Sequence, residues 1–319
     1  MQTDDTLYGR YKRSRFSNAK TIAIISALVL LTMLLIGVVA REKAKKNTTW
    51  TVTQYADVTG NQASFYSIVN DMDDSLIIVD GGWGGDNTEQ VRDVINEHGG
   101  KVDAWILTHY HKDHAEAFLY LIQDLKDIKI KQIYVTDLTP EVFSEVAQEW
   151  DNMDTYEAYM YLTKDFKNIK KLYAGDTVTV GNLKIDVLSA MSDELIDILG
   201  GKVQESDIPN NCSVIFKVCG NEESMLFLGD AHSPALGEWL ISTYGDELRS
   251  TYVQAGHHGG NSFPTSFYDA VSPRVMFFDS PEWLMTDPDH SQKDLAWYCS
   301  EKGITYYHQG TAPNSVTLK

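Results

Sequence analysis

Residues 108–114 read Thr-His-Tyr-His-Lys-Asp-His, and they carry the clearest chemical signal in the chain. They directly follow the apolar segment 102–107, which is expected to form a buried strand. Imidazole and carboxylate groups are the ligands that zinc and similar divalent ions prefer. In a tight loop after a strand, His109 and His111 can face one ion, and the aspartate and last histidine can face a second. The motif therefore predicts a two-metal site, whose ions would lie roughly 3.5–4 Å apart and share a hydroxide.

Two later strand ends carry further candidate ligands. The apolar stretch 225–228 leads into Gly229-Asp230, whose carboxylate could bridge two ions, although an aspartate after a glycine is by itself typical of a turn. The predicted strand 252–255 leads into Gly256-His257-His258-Gly259-Gly260, where the glycines allow close backbone approach. Together the motifs hold five of the nine histidines. This concentration argues against a surface loop that is rich in histidine by chance.

The order of these motifs resembles that of the metallo-β-lactamase superfamily: Asp80-Gly81-Gly82, His109-x-His111-x-Asp113-His114, Gly229-Asp230 and His257-His258-Gly259. The Asn210-Asn211-Cys212-Ser213 strand start and the Ala174-Gly175-Asp176 turn are similar to one branch, the hydrolase domain of the ComEC-type competence (DNA-uptake) proteins. The resemblance covers roughly residues 50–319. It implies an α/β fold, an αββα sandwich with a two-metal site at one edge of the sheets.

The resemblance assigns six residues to the metal site. They are His109 and His111 for the first ion, Asp113 and His114 for the second, Asp230 as the bridge and His257 as the remaining ligand. The cofactors would be two divalent ions, with zinc favoured and manganese as the alternative.

Catalytic and supporting roles follow from the same resemblance. Asp113 would orient an attacking metal-bound hydroxide. His258 would contact substrate or transfer a proton, and an exchange of roles between His257 and His258 stays open. Asp80 would hold the histidine loop from behind.

Some positions depart from the superfamily pattern. Asn211 stands in the region where many members carry another histidine, and the late His-Pro-His element here is Asp287-Pro288-Asp289-His290. His232 lies two residues after Asp230 and is expected at the surface. These departures keep a non-catalytic, metal-binding surface protein as an alternative to an enzyme.

Residues 21–40 (TIAIISALVLLTMLLIGVVA) are a run of 20 residues without a charge. As a helix this run would be about 30 Å long, which matches a bilayer core. A cleaved signal peptide is the alternative, but its apolar region is usually only about 7–15 residues. We therefore predict a basic tail (1–20), a membrane anchor (21–40), a linker (41–49) and a metallo-β-lactamase-like hydrolase domain (50–319).

The orientation of this single-pass anchor depends on the basic residues that flank it. Five basic residues precede the run and four follow it, so the positive-inside rule is nearly balanced. A short basic tail before one anchor favours a body outside the cytoplasm. The prediction is a protein of the cell membrane with an extracytoplasmic catalytic domain.

The charge of the body bears on its substrates. The chain has 27 basic and 45 acidic residues. Residues 1–46 hold nine of the basic and three of the acidic residues, which leaves the body (47–319) a net charge of −24. Such a body repels polyanions at long range, which disfavours nucleic acid as a partner. The leading hypothesis is a two-metal hydrolase of a small or polymer-linked phosphodiester, and a nuclease of the competence type is the alternative.

Residues 139–170 are predicted to be helical and are rich in aromatic side chains. Two interpretations stay open for this segment. It is either an insertion that packs on the body, which is favoured, or a lid over the substrate.

Overall fold

The computed structural model of the chain describes residues 7–46, 48–151, 153–200 and 207–319. The chain divides into two compact units, Met1–Asn47 and Thr48–Lys319. Within the first unit, the described residues form a single helix, α1 (Leu7–Lys46).

Helix α1 contains the predicted apolar run. Its window Lys20–Ala40 has a mean hydropathy of 3.0 and none of it is buried within the protein. A helix of this kind near the N-terminus is suited to be a membrane span or a signal sequence. The helix is longer than the run because the flanking basic residues and alanines are good helix formers. Of the predicted tail and linker, residues 7–20 and 41–46 are helical, and residues 1–6 and 47 lie outside the described part.

The second unit contains two seven-stranded sheets. In spatial order, the strands of the first sheet are β16 (Asn314–Leu318), β1 (Trp50–Gln54), β2 (Phe65–Asn70), β3 (Leu76–Asp80), β5 (Ala104–Ile106), β7 (Ile133–Val135) and β8 (Ile169–Lys171). Those of the second sheet are β15 (Thr305–Gln309), β14 (Val275–Pro281), β13 (Tyr252–Gln254), β12 (Ser224–Phe227), β11 (Ile215–Cys219), β10 (Leu183–Ser189) and β9 (Thr177–Val180). A small separate pair consists of β4 (Lys101–Val102) and β6 (Lys129–Ile130).

Helices connect the strands of this unit. They are α2 (Asp86–Glu97), α3 (Lys112–Gln123), α4 (Pro140–Val146), α5 (Met153–Thr163), α6 (Asp193–Ile198), α7 (Ile208–Asn211), α8 (Pro234–Tyr244), α9 (Thr265–Val271), α10 (Glu282–Thr286) and α11 (Gln292–Lys302). Short 3₁₀ turns occupy Gly245–Leu248 and Gly256–Gly259. Helix α11 ends at Gly303, whose φ of 70° is the left-handed conformation that stops a helix.

The central strands, such as β3 and β5, are buried on both faces, which is why they read as apolar runs. Outer strands such as β8 and β15 are partly exposed. In β3, Ile77 and Val79 belong to a core shared by the two sheets, whereas Leu76 and Ile78 belong to the core that contains the helices. The ring of Tyr66 on β2 packs edge-on against Phe227 of the opposite sheet, with centroids 5.2 Å apart. The layers are therefore helix, sheet, sheet and helix, and the predicted αββα sandwich is confirmed.

Parallel strands determine where the motifs meet. Strands β3, β5, β7 and β8 run parallel to one another, as do β12, β13, β14 and β15. Because the carboxyl ends of parallel strands lie at the same edge of a sheet, the residues that follow β3, β5, β12 and β13 are brought together. These are the segments that carry the motifs.

Candidate metal centre

The histidine loop lies between β5 and α3 and is held by Asp80 at the end of β3. One oxygen of this buried carboxylate accepts the backbone N–H of Thr108 at 2.8 Å. The indole N–H of Trp105 donates to the Asp80 carbonyl at 2.9 Å. Asp80 has a φ of 55°, a strained value that persists because these contacts hold it in place. Contacts within the protein therefore hold the loop in place without an ion.

The first group of candidate ligands is His109, His111 and Asp230, whose ligand atoms all lie within 4.8 Å of one another. His109 is fully buried, and its Nε2 lies 3.8 Å from Asp230 Oδ2. Within the described residues this Nε2 has no hydrogen-bond partner. Burial, assisted by the neighbouring His114, holds the pKa of His109 well below its usual value. A neutral imidazole with an unused ring nitrogen is the form in which histidine binds a metal.

The second group is Asp113, His114 and His258, which satisfy the same distance limit. His258 Nε2 lies 3.1 Å from Asp113 Oδ2 and 3.3 Å from His114 Nε2. The other ring nitrogens have protein partners, because His114 Nδ1 lies 2.8 Å from Asp80 and His258 Nδ1 donates to the Asp279 carbonyl at 3.1 Å. These contacts orient both rings and leave each Nε2 for an ion.

Asp230 connects the two groups. Its Oδ1 lies 3.1 Å from His114 Nε2, and its Oδ2 lies 3.3 Å from His258 Nε2 and 3.8 Å from His109 Nε2. The residue is 2% exposed, so this carboxylate is buried among the imidazoles. Its backbone N–H is held by Ser213 Oγ at 3.0 Å. A buried carboxylate that borders both sets of imidazoles fits the bridging position of a two-metal site.

The electrostatics of the cluster also fit cations. Burial alone would lower the pKa of His114 and of His258, but the neighbouring carboxylates have the larger effect. The pKa of His114 therefore lies well above its usual value, and the pKa of His258 rises to about 10. The imidazoles in turn hold the pKa values of Asp113 and Asp230 well below the usual range, against the effect of burial. The metal-free cluster thus retains protons that divalent ions would replace. The two His/Asp groups fit a dinuclear centre.

These pKa values predict how pH affects the metal-free protein. The pKa of His258 is about 10 in the folded protein, above its ordinary value of 6.5, so its protonation stabilises the fold fully below about pH 6.5. This contribution is lost as the pH rises through about 10. We expect the urea midpoint of chelator-treated protein to fall over that interval, and to fall less with zinc bound. A metal-free midpoint that stays constant or rises would contradict this, and His258→Ala should weaken the dependence.

Adjacent histidines in the Gly256–Gly259 turn have different surroundings. Both have a positive φ, 53° for His257 and 55° for His258. His257 lies outside both groups. Its Nδ1 donates to the Gly260 carbonyl at 2.8 Å and its ring stacks on His232 at 4.7 Å. The geometry therefore places His258 with the ligands, the reverse of the order favoured by the resemblance.

Sequence reasoning missed several contacts of the site. Gln62 donates to Asp113 Oδ2 at 3.2 Å, and Asp151 Oδ1 lies 3.1 Å from His111 Nε2. Neither residue belongs to a recognisable motif, and both come from loops that only the folded chain brings near. Asn211, in the region of the expected third histidine, accepts the backbone N–H of His232 at 2.9 Å and so supports the loop after Asp230.

Gly256 permits the close approach of two site loops. A β-carbon there would overlap the carbonyl oxygen of Ala231, which directly follows Asp230. We expect Gly256→Ala to destabilise the protein by about 1–3 kcal/mol and to lower its metal content, since both loops must move apart. Urea unfolding and elemental analysis measure the two effects. Gly310→Ala is the control, because a β-carbon at Gly310 would meet nothing within 4 Å; equal effects of the two substitutions would contradict the explanation.

An αββα sandwich with paired His/Asp groups at the strand ends defines a metallo-β-lactamase-fold protein. Residues 58–254 match the sequence model described as "Metallo-beta-lactamase superfamily", which covers more than half of the chain. The protein belongs to this superfamily, whose members are typically metal-dependent hydrolases. The match extends to the superfamily and does not single out the competence-protein branch. No curated protein matches the chain.

Solved structures share the fold at low sequence identity. CmlA, a diiron β-hydroxylase from Streptomyces venezuelae, has a TM-score of 0.52 and 14% identity over 84% of this chain. This chain spans 54% of the length of CmlA. Unliganded yeast PDE1 has a TM-score of 0.50 and 12% identity, covering 85% of this chain and 99% of that one. At these identities the likeness concerns the fold alone, which by itself determines neither the metal nor the reaction.

Proposed function

We propose that this protein is a membrane-anchored, two-metal hydrolase that acts on phosphodiesters. The single observation that carries the proposal is the position of Asp230 between two buried His/Asp groups. These two groups share one buried carboxylate, and His109 Nε2 among them has no hydrogen-bond partner within the described residues. Such a cluster is costly to bury without cations. The donor set suits zinc, with manganese as the alternative.

The residues of the site would divide the work as follows. When bound, two divalent ions supply a strong nucleophile from water at neutral pH and neutralise charge on the phosphate oxygens. Asp113, which is held by Gln62, would orient the attacking water as well as bind an ion. With His258 among the ligands, His257 would be the residue that contacts substrate, since its ring centre lies 6.3 Å from that of His258. The leaving group would take its proton from His257 or from water.

The charge of the body limits the range of substrates that can approach the site. A net charge of −24 over residues 47–319 opposes the approach of a polyanion. We therefore favour a small or polymer-linked phosphodiester over DNA. Hydrolysis of single-stranded DNA would instead support the competence-type nuclease.

The membrane assignment is a separate part of the proposal. The apolar helix and the short basic tail before it support a single-pass anchor with the body outside the cytoplasm. Full-length protein should resist extraction with alkaline carbonate and should be cleaved by protease added to intact cells. Release by carbonate would contradict the anchor, and protection in intact cells would contradict the orientation.

The hydrolase assignment is tested on the separate unit 48–319. Its metal content is measured by elemental analysis, and its activity with zinc or manganese is screened on bis(p-nitrophenyl) phosphate, single-stranded DNA and choline esters. We expect about two ions per chain and hydrolysis of the small phosphodiester. Two bound ions without hydrolysis of any of these substrates would support the non-catalytic metal-binding protein. Absence of bound metal would overturn the two-metal centre itself.

A further inference from the structure

The loop between α4 and α5 contains one buried acid, Asp151. The segment 139–170 carries seven acidic residues, and six of them are exposed. Asp151 is 1% exposed. A buried carboxylate is costly unless it is paired and hydrogen-bonded, so its position calls for a partner inside the protein.

That partner is a residue of the first group. Asp151 Oδ1 lies 3.1 Å from His111 Nε2. The other carboxylate oxygen accepts the backbone N–H of Gln148. Because an ionised carboxylate only accepts hydrogen bonds, the proton between Asp151 and His111 belongs to His111 Nε2. In the neutral ring, which is the form that binds a metal, the lone pair is therefore on Nδ1.

This arrangement differs from that of the other histidines in the two groups. His109, His114 and His258 each direct Nδ1 at a protein atom, namely Thr108 Oγ1, an Asp80 oxygen and the Asp279 carbonyl. Each of these three rings thus leaves Nε2 for an ion. His111 is held from its opposite nitrogen, which leaves Nδ1.

A second contact ties the same segment to the histidine loop. Tyr110, between the first two histidines, is buried, and its ring lies 5.0 Å from that of Tyr156 and 4.7 Å from that of Tyr159 on α5. Its hydroxyl donates to the Thr136 carbonyl at 2.7 Å. The segment therefore packs directly on the motif.

We propose that Asp151 is a positioning residue of the metal centre: it fixes the ring orientation and tautomer of His111 so that Nδ1 binds the first ion. The proposal rests on the two-metal centre proposed above and deepens it. The segment 139–170 would then contribute a residue that supports a ligand of the metal site. Removal of a carboxylate that supports a ligating histidine typically weakens metal binding by about 10–100-fold.

The variant Asp151→Asn tests the proposal. Asparagine has one acceptor where aspartate has two, so either His111 Nε2–H or Gln148 N–H must face the amide NH₂ group. We expect zinc titration against a chelating indicator to show one of the two ions bound about 10–100-fold more weakly, with the other unchanged. Glu149→Gln is the matched control, because this exposed acid lies in the same loop. Unchanged affinity for both ions in a folded Asp151→Asn protein would overturn the proposal.

A measurement on the unaltered protein removes any dependence on how the variant folds. Long-range ¹H–¹⁵N spectra of the zinc-loaded protein identify the coordinating nitrogen of each histidine. We expect Nδ1 for His111 and Nε2 for His109, His114 and His258. Coordination of His111 through Nε2, or of the ion by Asp151 itself, would overturn the positioning role. If the unaltered protein bound no zinc, the two-metal centre would fail, which is a different outcome from normal binding without any role for Asp151.

Discussion

Replacing Asp230 with asparagine is expected to remove nearly all hydrolytic activity. Asp230 borders His114 through Oδ1 and both His109 and His258 through Oδ2. Asparagine keeps the size of the side chain but removes its charge and one acceptor, so it cannot bridge two cations. We expect kcat for the phosphodiester that the unaltered protein cleaves to fall by roughly 10²–10³-fold or more, and the metal content to fall below two ions per chain.

A surface substitution of the same kind separates this effect from a general loss of charge. The side chain of Asp246 is 92% exposed and forms a surface ion pair with Arg249 at 3.0 Å. Asp246→Asn should keep both ions and the unaltered rate. Circular dichroism of Asp230→Asn should show a folded protein, because the sheets do not depend on this side chain. A folded Asp230→Asn protein with full activity would refute the bridging role.

His258→Ala is expected to remove the second ion, whereas His257→Ala is expected to retain both. The ring of His258 contacts Asp113, His114 and Asp230 through one nitrogen. The ring of His257 instead contacts Gly260 and His232. We expect kcat of His258→Ala to fall by roughly 10²–10³-fold, and that of His257→Ala to fall less.

The two histidines are each other's control, since they are adjacent in one turn and of identical size. Elemental analysis and steady-state kinetics on both variants measure the difference. Loss of an ion from His257→Ala, with His258→Ala retaining two, would restore the order that the resemblance favours. Loss from neither would remove this turn from the metal centre.

The fold could be predicted from local patterns because its central strands are buried on both faces. Apolar runs such as 104–107 and 225–228 are followed two residues later by His109 and Asp230, and they became strands whose ends carry the site. The run 102–107 became two strands, β4 and β5, since Asp103 interrupts it. Helix α2 and the end of α11 at Gly303 also followed local signals. Periodicity and turn chemistry act over a few residues, so they are legible in the sequence.

The contacts of the candidate site were less predictable. The pairing of His111 with Asp151 joins positions 40 residues apart, and Asp151 has no pattern around it that marks a buried acid. Asn211 reads as a lost ligand in the sequence, whereas its side chain supports the backbone of the loop after Asp230. Each contact depends on where separate loops meet, which no local pattern records.

The sequence by itself was sufficient for the layered α/β fold, the apolar N-terminal helix and the donors that meet at one edge of the sheets. These features follow from hydrophobic periodicity and from parallel strands that end on the same side. Only the tertiary structure decided that His258 rather than His257 joins Asp113 and His114, and that the insertion reaches His111. The physical reason is that the direction of a side chain depends on backbone angles and on neighbours from distant segments, such as the left-handed turn at His257 and His258.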